Sequence, residues 1–224
     1  MSTRTTRLML AAGALVAGFA GAANADVIAT LTYDDLGGSY TARSSTSGNF
    51  VARAVNLPGV LQSSGATSRI VPTQGNADFV PGFVSGADPS DFVINIATTI
   101  TGVGTASGNG SFTATDIDGD TVTGSLIGDW TSAGAGILFF NGALSNVLLN
   151  GQTFNGNSGS WDMNLPGTPP FDGAIVQLTF SGAGFFDQNF ENRATGTTLQ
   201  IVPAPGALAL VGLGGLVAAR RRTR

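Results

Sequence analysis

Along most of this chain, Val, Ile, Phe and Thr alternate with small polar residues in short runs, and each run is cut off by Gly, Asn, Asp or Ser. A two-residue period puts successive side chains on opposite faces of an extended backbone, so such runs fold as strands with one face buried. The pattern predicts strands over Val27 to Tyr33, Tyr40 to Arg43, Phe50 to Val55, Phe92 to Ile100, Ser111 to Ile117, Thr121 to Ile127, Ile137 to Phe140, Ala174 to Phe180 and Thr197 to Val202. No long segment carries a helical period. The expected class is all-β, an antiparallel β-sandwich or jelly-roll-like domain over residues 26–202, with 13 of the 14 Phe as its main large fillers. Asn56 to Ser90 breaks the pattern with Pro58, Pro72, Pro81 and Pro89, and reads as either a long crossing loop or a pair of short strands. Gly128-Asp129-Trp130 and Gly159-Ser160-Trp161 echo each other as candidate equivalent sheet positions.

The two ends read as addresses. Arg4 and Arg7 precede an apolar run from Leu8 to Ala23 and the triplet Ala23-Asn24-Ala25, the three zones of a secretory signal. Cleavage between Ala25 and Asp26 is expected, so residues 1–25 form a signal peptide. At the other end, Pro203-Ala204-Pro205-Gly206 is followed by a wholly apolar or Gly stretch, Ala207 to Ala219, and then by Arg220, Arg221, Arg222 and Arg224. A helix over Gly206 to Ala219 would span roughly 21 Å at about 1.5 Å per residue, against a hydrocarbon core of roughly 30 Å. The Arg cluster as a cytoplasmic stop places the rest of the chain outside, the topology that the signal peptide also gives.

Val202 to Arg222, in the order Pro-x-Pro, Gly-rich apolar helix and consecutive Arg, resembles the PEP-CTERM sorting domain of bacterial exported proteins. Ala204 stands where that family has the Glu of Pro-Glu-Pro. The resemblance covers only this tail, and residues 203–224 are read as the sorting signal and membrane anchor. It implies a protein exported, held in the membrane by the helix, and processed near Pro203, Ala204, Pro205 and Gly206 by an exosortase, in bacteria that secrete exopolysaccharide. Signal peptidase and exosortase are then the processing partners, exopolysaccharide a candidate ligand, and the cell surface or extracellular matrix the destination.

Cys, His and Lys are all absent, and the ten basic residues are all Arg. That removes Ser-His-Asp and Cys-His nucleophiles, Cys/His zinc sites, Schiff bases and the Walker A cradle. Residues 26–202 hold four Arg against all fourteen acids, a formal charge of −10. Such a field repels nucleic acid and attracts cations, so no nucleic-acid partner is expected.

Asp116-Ile117-Asp118-Gly119-Asp120 is the sharpest local feature. Alternate carboxylates across a turn can aim oxygens at one calcium ion, and Asp116, Asp118 and Asp120 are the candidate ligands. Gly119 stands fourth in the loop and Ile127 twelfth, so the segment is not an EF-hand. A plain hairpin with a type I′ Asp118-Gly119 turn explains the same residues. Trp130 and Trp161 with Tyr33 and Tyr40 could make a sugar-stacking face, or could be core. Thirteen Asp and Glu191 leave a carboxylate glycosidase as the open enzyme class, with no pair singled out. The rows Thr98-Thr99-Ile100-Thr101 and Thr113-Ala114-Thr115 need only the β-propensity of Thr. The expected role is that of an exported, exosortase-sorted surface or matrix protein, structural or binding and not an enzyme, with a carbohydrate-binding module as the alternative. No cofactor is expected beyond the candidate calcium.

Overall fold

The computed structural model describes residues 26–84, 90–134, 136–181 and 184–204. The expected signal peptide with Ala25, and the tail from Pro205 and Gly206 through Arg220, Arg221, Arg222 and Arg224, lie outside the described residues. Fourteen strands follow in order: β1 (Ala29–Ala42), β2 (Ser47–Arg53), β3 (Asn56–Leu57), β4 (Leu61–Gln62), β5 (Ser64–Arg69), β6 (Asn76–Phe79), β7 (Asp91–Gly102), β8 (Thr105–Thr115), β9 (Thr121–Ser132), β10 (Ile137–Asn150), β11 (Thr153–Asn155), β12 (Ser160–Asp162), β13 (Phe171–Ser181) and β14 (Phe190–Val202). There is no helix among the described residues.

Eight of these strands pair antiparallel in the order β14-β13-β10-β9-β8-β7-β2-β1, and β14 pairs back onto β1. The ring is therefore closed. All-β and antiparallel stand as expected, but the finer expectation of a sandwich or jelly roll gives way to one sheet rolled into an eight-stranded barrel. Closure leaves the ring without an edge strand. It depends on the length of β1, which joins the two segments expected separately at Val27 to Tyr33 and Tyr40 to Arg43. One side of β1 runs along β14 from Ala29↔Ile201 to Tyr40↔Phe190. The other side pairs with β5 over Ala29 to Asp34 and with β2 over Gly37 to Ala42. The partner changes at an irregularity between Tyr33 and Leu36, where Asp35 takes a left-handed φ of 54°.

The interior is solid. Alternate residues of the wall point inward, and an eight-stranded barrel is just wide enough for them to fill it. Phe50, Phe92, Phe112, Trp130, Phe140 and Phe180 are fully buried. Glycines opposite the large rings make the room: a Cβ on Gly48 would collide with the Tyr40 ring, and one on Gly108 would lie 2.7 Å from Ile96 Cγ2 and 2.9 Å from Phe140 Cε2. Mostly polar residues take the outside, with Ile127, Leu148 and Val176 as exposed apolar exceptions. Ser47, Thr99, Ser107, Asp129 and Asn141 form one cross-strand rung, and Val51, Asn95, Ser111, Ser125 and Ser145 another. Apolar inside and polar outside is the reverse of a lipid-facing barrel.

The two ends differ. One is crossed by short turns between β1 and β2, β7 and β8, and β9 and β10, and by the segment leading into β14, whose Phe186 packs inward at 4.6 Å from Tyr40 and 5.1 Å from Trp130. The opposite end carries the turn at 116–120 and two excursions, residues 54–90 and 151–170. Within the first, the Pro-rich stretch expected as a loop or two short strands supplies four, β3 to β6. The second supplies β11 and β12, a two-stranded ladder of its own. Trp130 thus faces the barrel interior and Trp161 sits in the cap, so the two Gly-x-Trp echoes are not equivalent sheet positions.

Candidate functional site

Thr115 pairs with Thr121, which leaves a five-residue loop at Asp116 to Asp120. Only Gly119 has a positive φ, 92°, so the Asp118-Gly119 turn is not type I′, which needs two. The physical reason is Asp116, whose backbone N–H donates to Asp120 O at 3.0 Å and whose carbonyl accepts from Gly119 N at 3.3 Å. That inner closure widens the hairpin tip beyond two residues.

Asp116 is completely buried. Its Oδ1 accepts from the backbone N–H of Asp118 at 2.9 Å and of Asp120 at 2.8 Å, and its Oδ2 from the N–H of Asn155 at 2.8 Å. Asp118 Oδ2 accepts from Asn155 Nδ2 at 2.7 Å, and Asp120 Oδ2 from the N–H of Gln152 at 3.2 Å. The three acids fasten the β8–β9 hairpin to the start of the second excursion. As a calcium loop the arrangement fits poorly. The Asp116 carboxylate is turned inward onto three N–H donors, and among the described residues no group of three or more acidic side chains is placed to hold a metal ion. Nothing in the spacing of the acids announces Asn155, which lies 39 residues on.

Burial raises the pKa of Asp116 above its ordinary value of 3.8, the Asp120 charge adds to this, and the three backbone N–H donors oppose it. The folded chain then holds this proton to higher pH than the unfolded chain. Its contribution to stability is full below about pH 3.8 and is lost as pH rises through the raised value. We expect the stability of wild type relative to Asp116→Asn to fall with rising pH across that window in urea titrations. A relative stability that rises instead would show that the N–H donors outweigh burial.

The four rings that could have stacked on a sugar are all in the core. Trp130 is 0% and Trp161 1% exposed, and Tyr33 and Tyr40 are equally covered. Trp161 Nε1 donates to Thr67 Oγ1 at 2.9 Å, which fixes the second excursion to β5. Tyr33 stacks on Phe92 at 4.2 Å. Burial raises its phenol pKa, with the Asp116 and Asp91 charges adding to the effect.

Two of the concavities lined by described residues lie on the outer surface. A shallow one is lined by Asp35, Val60, Gln62, Ser64, Pro81 and Ala194 and contains a single acid, against the two that glycoside hydrolysis needs. A cleft of about 110 Å³ between Leu149, Met163, Leu165, Pro169 and Phe171 has no titratable lining. Asp26, the first residue after the expected signal cleavage, is exposed, and Pro203 and Ala204 are half-buried where β14 leaves the barrel. No helix among the described residues is long and apolar enough to cross a membrane. No protein-family model, curated protein or solved structure matches this chain.

Proposed function

We propose that this is an exported surface or matrix protein, sorted and anchored through residues 203–224, whose barrel serves a structural or display role rather than catalysis. The observation that carries this reading is the solid aromatic interior: Phe50, Trp130, Phe140 and Phe180 fill the space in which a barrel of this size would hold a small ligand. What such a barrel offers a partner is its outer wall. Apart from Val51, that wall carries Ser, Thr, Asn and Asp129 in register across β2, β7, β8, β9 and β10, side chains suited to hydrogen-bonding the hydroxyls of exopolysaccharide. Contact of this kind needs no exposed aromatic ring, so binding of isolated exopolysaccharide leaves the fluorescence of the two buried Trp unchanged.

Export predicts an N-terminus at Asp26 in protein recovered outside the cytoplasm. The anchor is tested by deleting residues 205–224. Pro203 and Ala204 already lie beyond the last residue of β14, so the truncated chain should appear in the medium with its thermal midpoint unchanged. Retention of the truncated chain in the membrane fraction, or loss of its unfolding transition, would overturn the anchoring reading.

A further inference from the structure

The first and last strands of the barrel leave it at the same end. Ala29 pairs with Ile201, and Ile28 N donates to Ile201 O at 2.9 Å. The tail therefore begins beside β1, at the capped end, and whatever the tail is bound to lies close to that end. Around the exit stand two loop tips. The β5–β6 tip, residues 70–75, is tied there by the N–H groups of Ile70 and Val71, which donate to Ile28 O at 2.8 and 3.3 Å. The second tip, residues 166–170, approaches through Gly167, whose Cβ position lies 3.7 Å from Pro203 Cβ. Arg69, 6% exposed, joins the two excursions by donating through Nη1 to Asp162 O at 2.8 Å.

Neither tip carries a charge. They read Ile-Val-Pro-Thr-Gln-Gly and Pro-Gly-Thr-Pro-Pro, and the chain leaves between them as Pro203-Ala204. Ile70 and Val71 are 40% and 41% exposed. In a domain of formal charge −10, the two tips at the point of anchorage are uncharged and partly apolar, so they meet lipid head groups without the repulsion of acidic tips, with Asp26 and Asp172 flanking them. Resting on the anchoring reading above, we infer that this apex, formed by residues 70–75, 166–170 and 203–204, seats against the bilayer surface. The barrel then stands upright, and the end bearing Val103 points away. A twelve-residue strand at about 3.3 Å per residue, tilted by about 40°, separates the two ends by roughly 30 Å.

The absence of Cys makes a clean test available. Chains spanning residues 26–224, with Val71→Cys, Thr168→Cys, Ser145→Cys or Val103→Cys, are labelled with a fluorescent maleimide and reconstituted in phosphatidylcholine vesicles containing a head-group nitroxide lipid. Labels at positions 71 and 168 should lose most of their emission, and those at 145 on the side wall and 103 at the far end should keep theirs. Chain that sediments with the vesicles but is quenched equally at all four positions would overturn the seating while leaving the anchor intact. Chain that fails to sediment would overturn the anchor and the seating together.

Discussion

Phe50→Ala is expected to cost about 3–5 kcal/mol of stability, among the largest losses any single truncation in this barrel should give. Phe50 is fully buried on β2 and stacks on Phe180 at 5.0 Å with an interplanar angle of 16°. It also meets Trp130 edge-on at 4.9 Å and reaches Phe186 and Phe190. Deleting the ring removes its burial and leaves a void walled by four aromatics, three of which, Trp130, Phe180 and Phe190, β-sheet backbone holds apart, so the site collapses little around it. Phe50→Leu, which keeps most of the volume, should cost about 1–1.5 kcal/mol. The difference is read from urea midpoints at constant m-value. A loss below 1 kcal/mol for the alanine variant would mean that the interior is not packed as described.

Asp116→Ala should lower stability by about 3 kcal/mol at neutral pH, through a different mechanism. The alanine leaves the N–H groups of Asp118, Asp120 and Asn155 without their shared acceptor, two of them in the 116–120 loop itself and the third on β11. Asp118→Ala removes only the contact with Asn155 Nδ2 near the surface, so it should cost less than about 1 kcal/mol. Equal losses for the two variants would show that the buried carboxylate is not the organising member of the turn. Hydrogen exchange offers an independent reading, because the Asn155 amide should lose protection in Asp116→Ala and keep it in Asp118→Ala.

Most barrel strands were legible because period-two alternation is a local signal: each of the nine runs expected from the sequence lies largely within an observed strand. Two properties were not local and did not show. Closure rests on β14 meeting β1, a pairing between Ala29 and Ile201 that no pattern within either strand encodes. The junction at Asp35 looked like a break between two strands, since Asp-Asp-Leu-Gly-Gly is turn chemistry, yet it is an irregularity inside one strand. The cap strands β3, β4, β11 and β12, two or three residues each, are too short to carry a period at all. At the acidic turn, the three Asp were visible but their environment was not. An Asp in a Gly-containing turn normally faces water, and only the placement of residues 152–155 over it turns Asp116 inward.

The β1–β14 ladder also sets an order of events. A chain made and moved across a membrane from its N-terminus presents β1 first and β14 last, so the hydrogen bonds that complete the ring cannot form until Val202 has emerged. Until then the free edges of β1 and β13 are open to other chains, and that exposure ends only with the last strand. Pairings between such distant segments also form slowly. On the anchoring proposed above, an apolar segment immediately behind β14 would hold the newly emerged barrel at the membrane and keep its molecules apart while β14 pairs with β1. On that proposal, closure of the fold and arrival of the anchor would fall within a few residues of each other, which would couple the maturation of the barrel to its attachment.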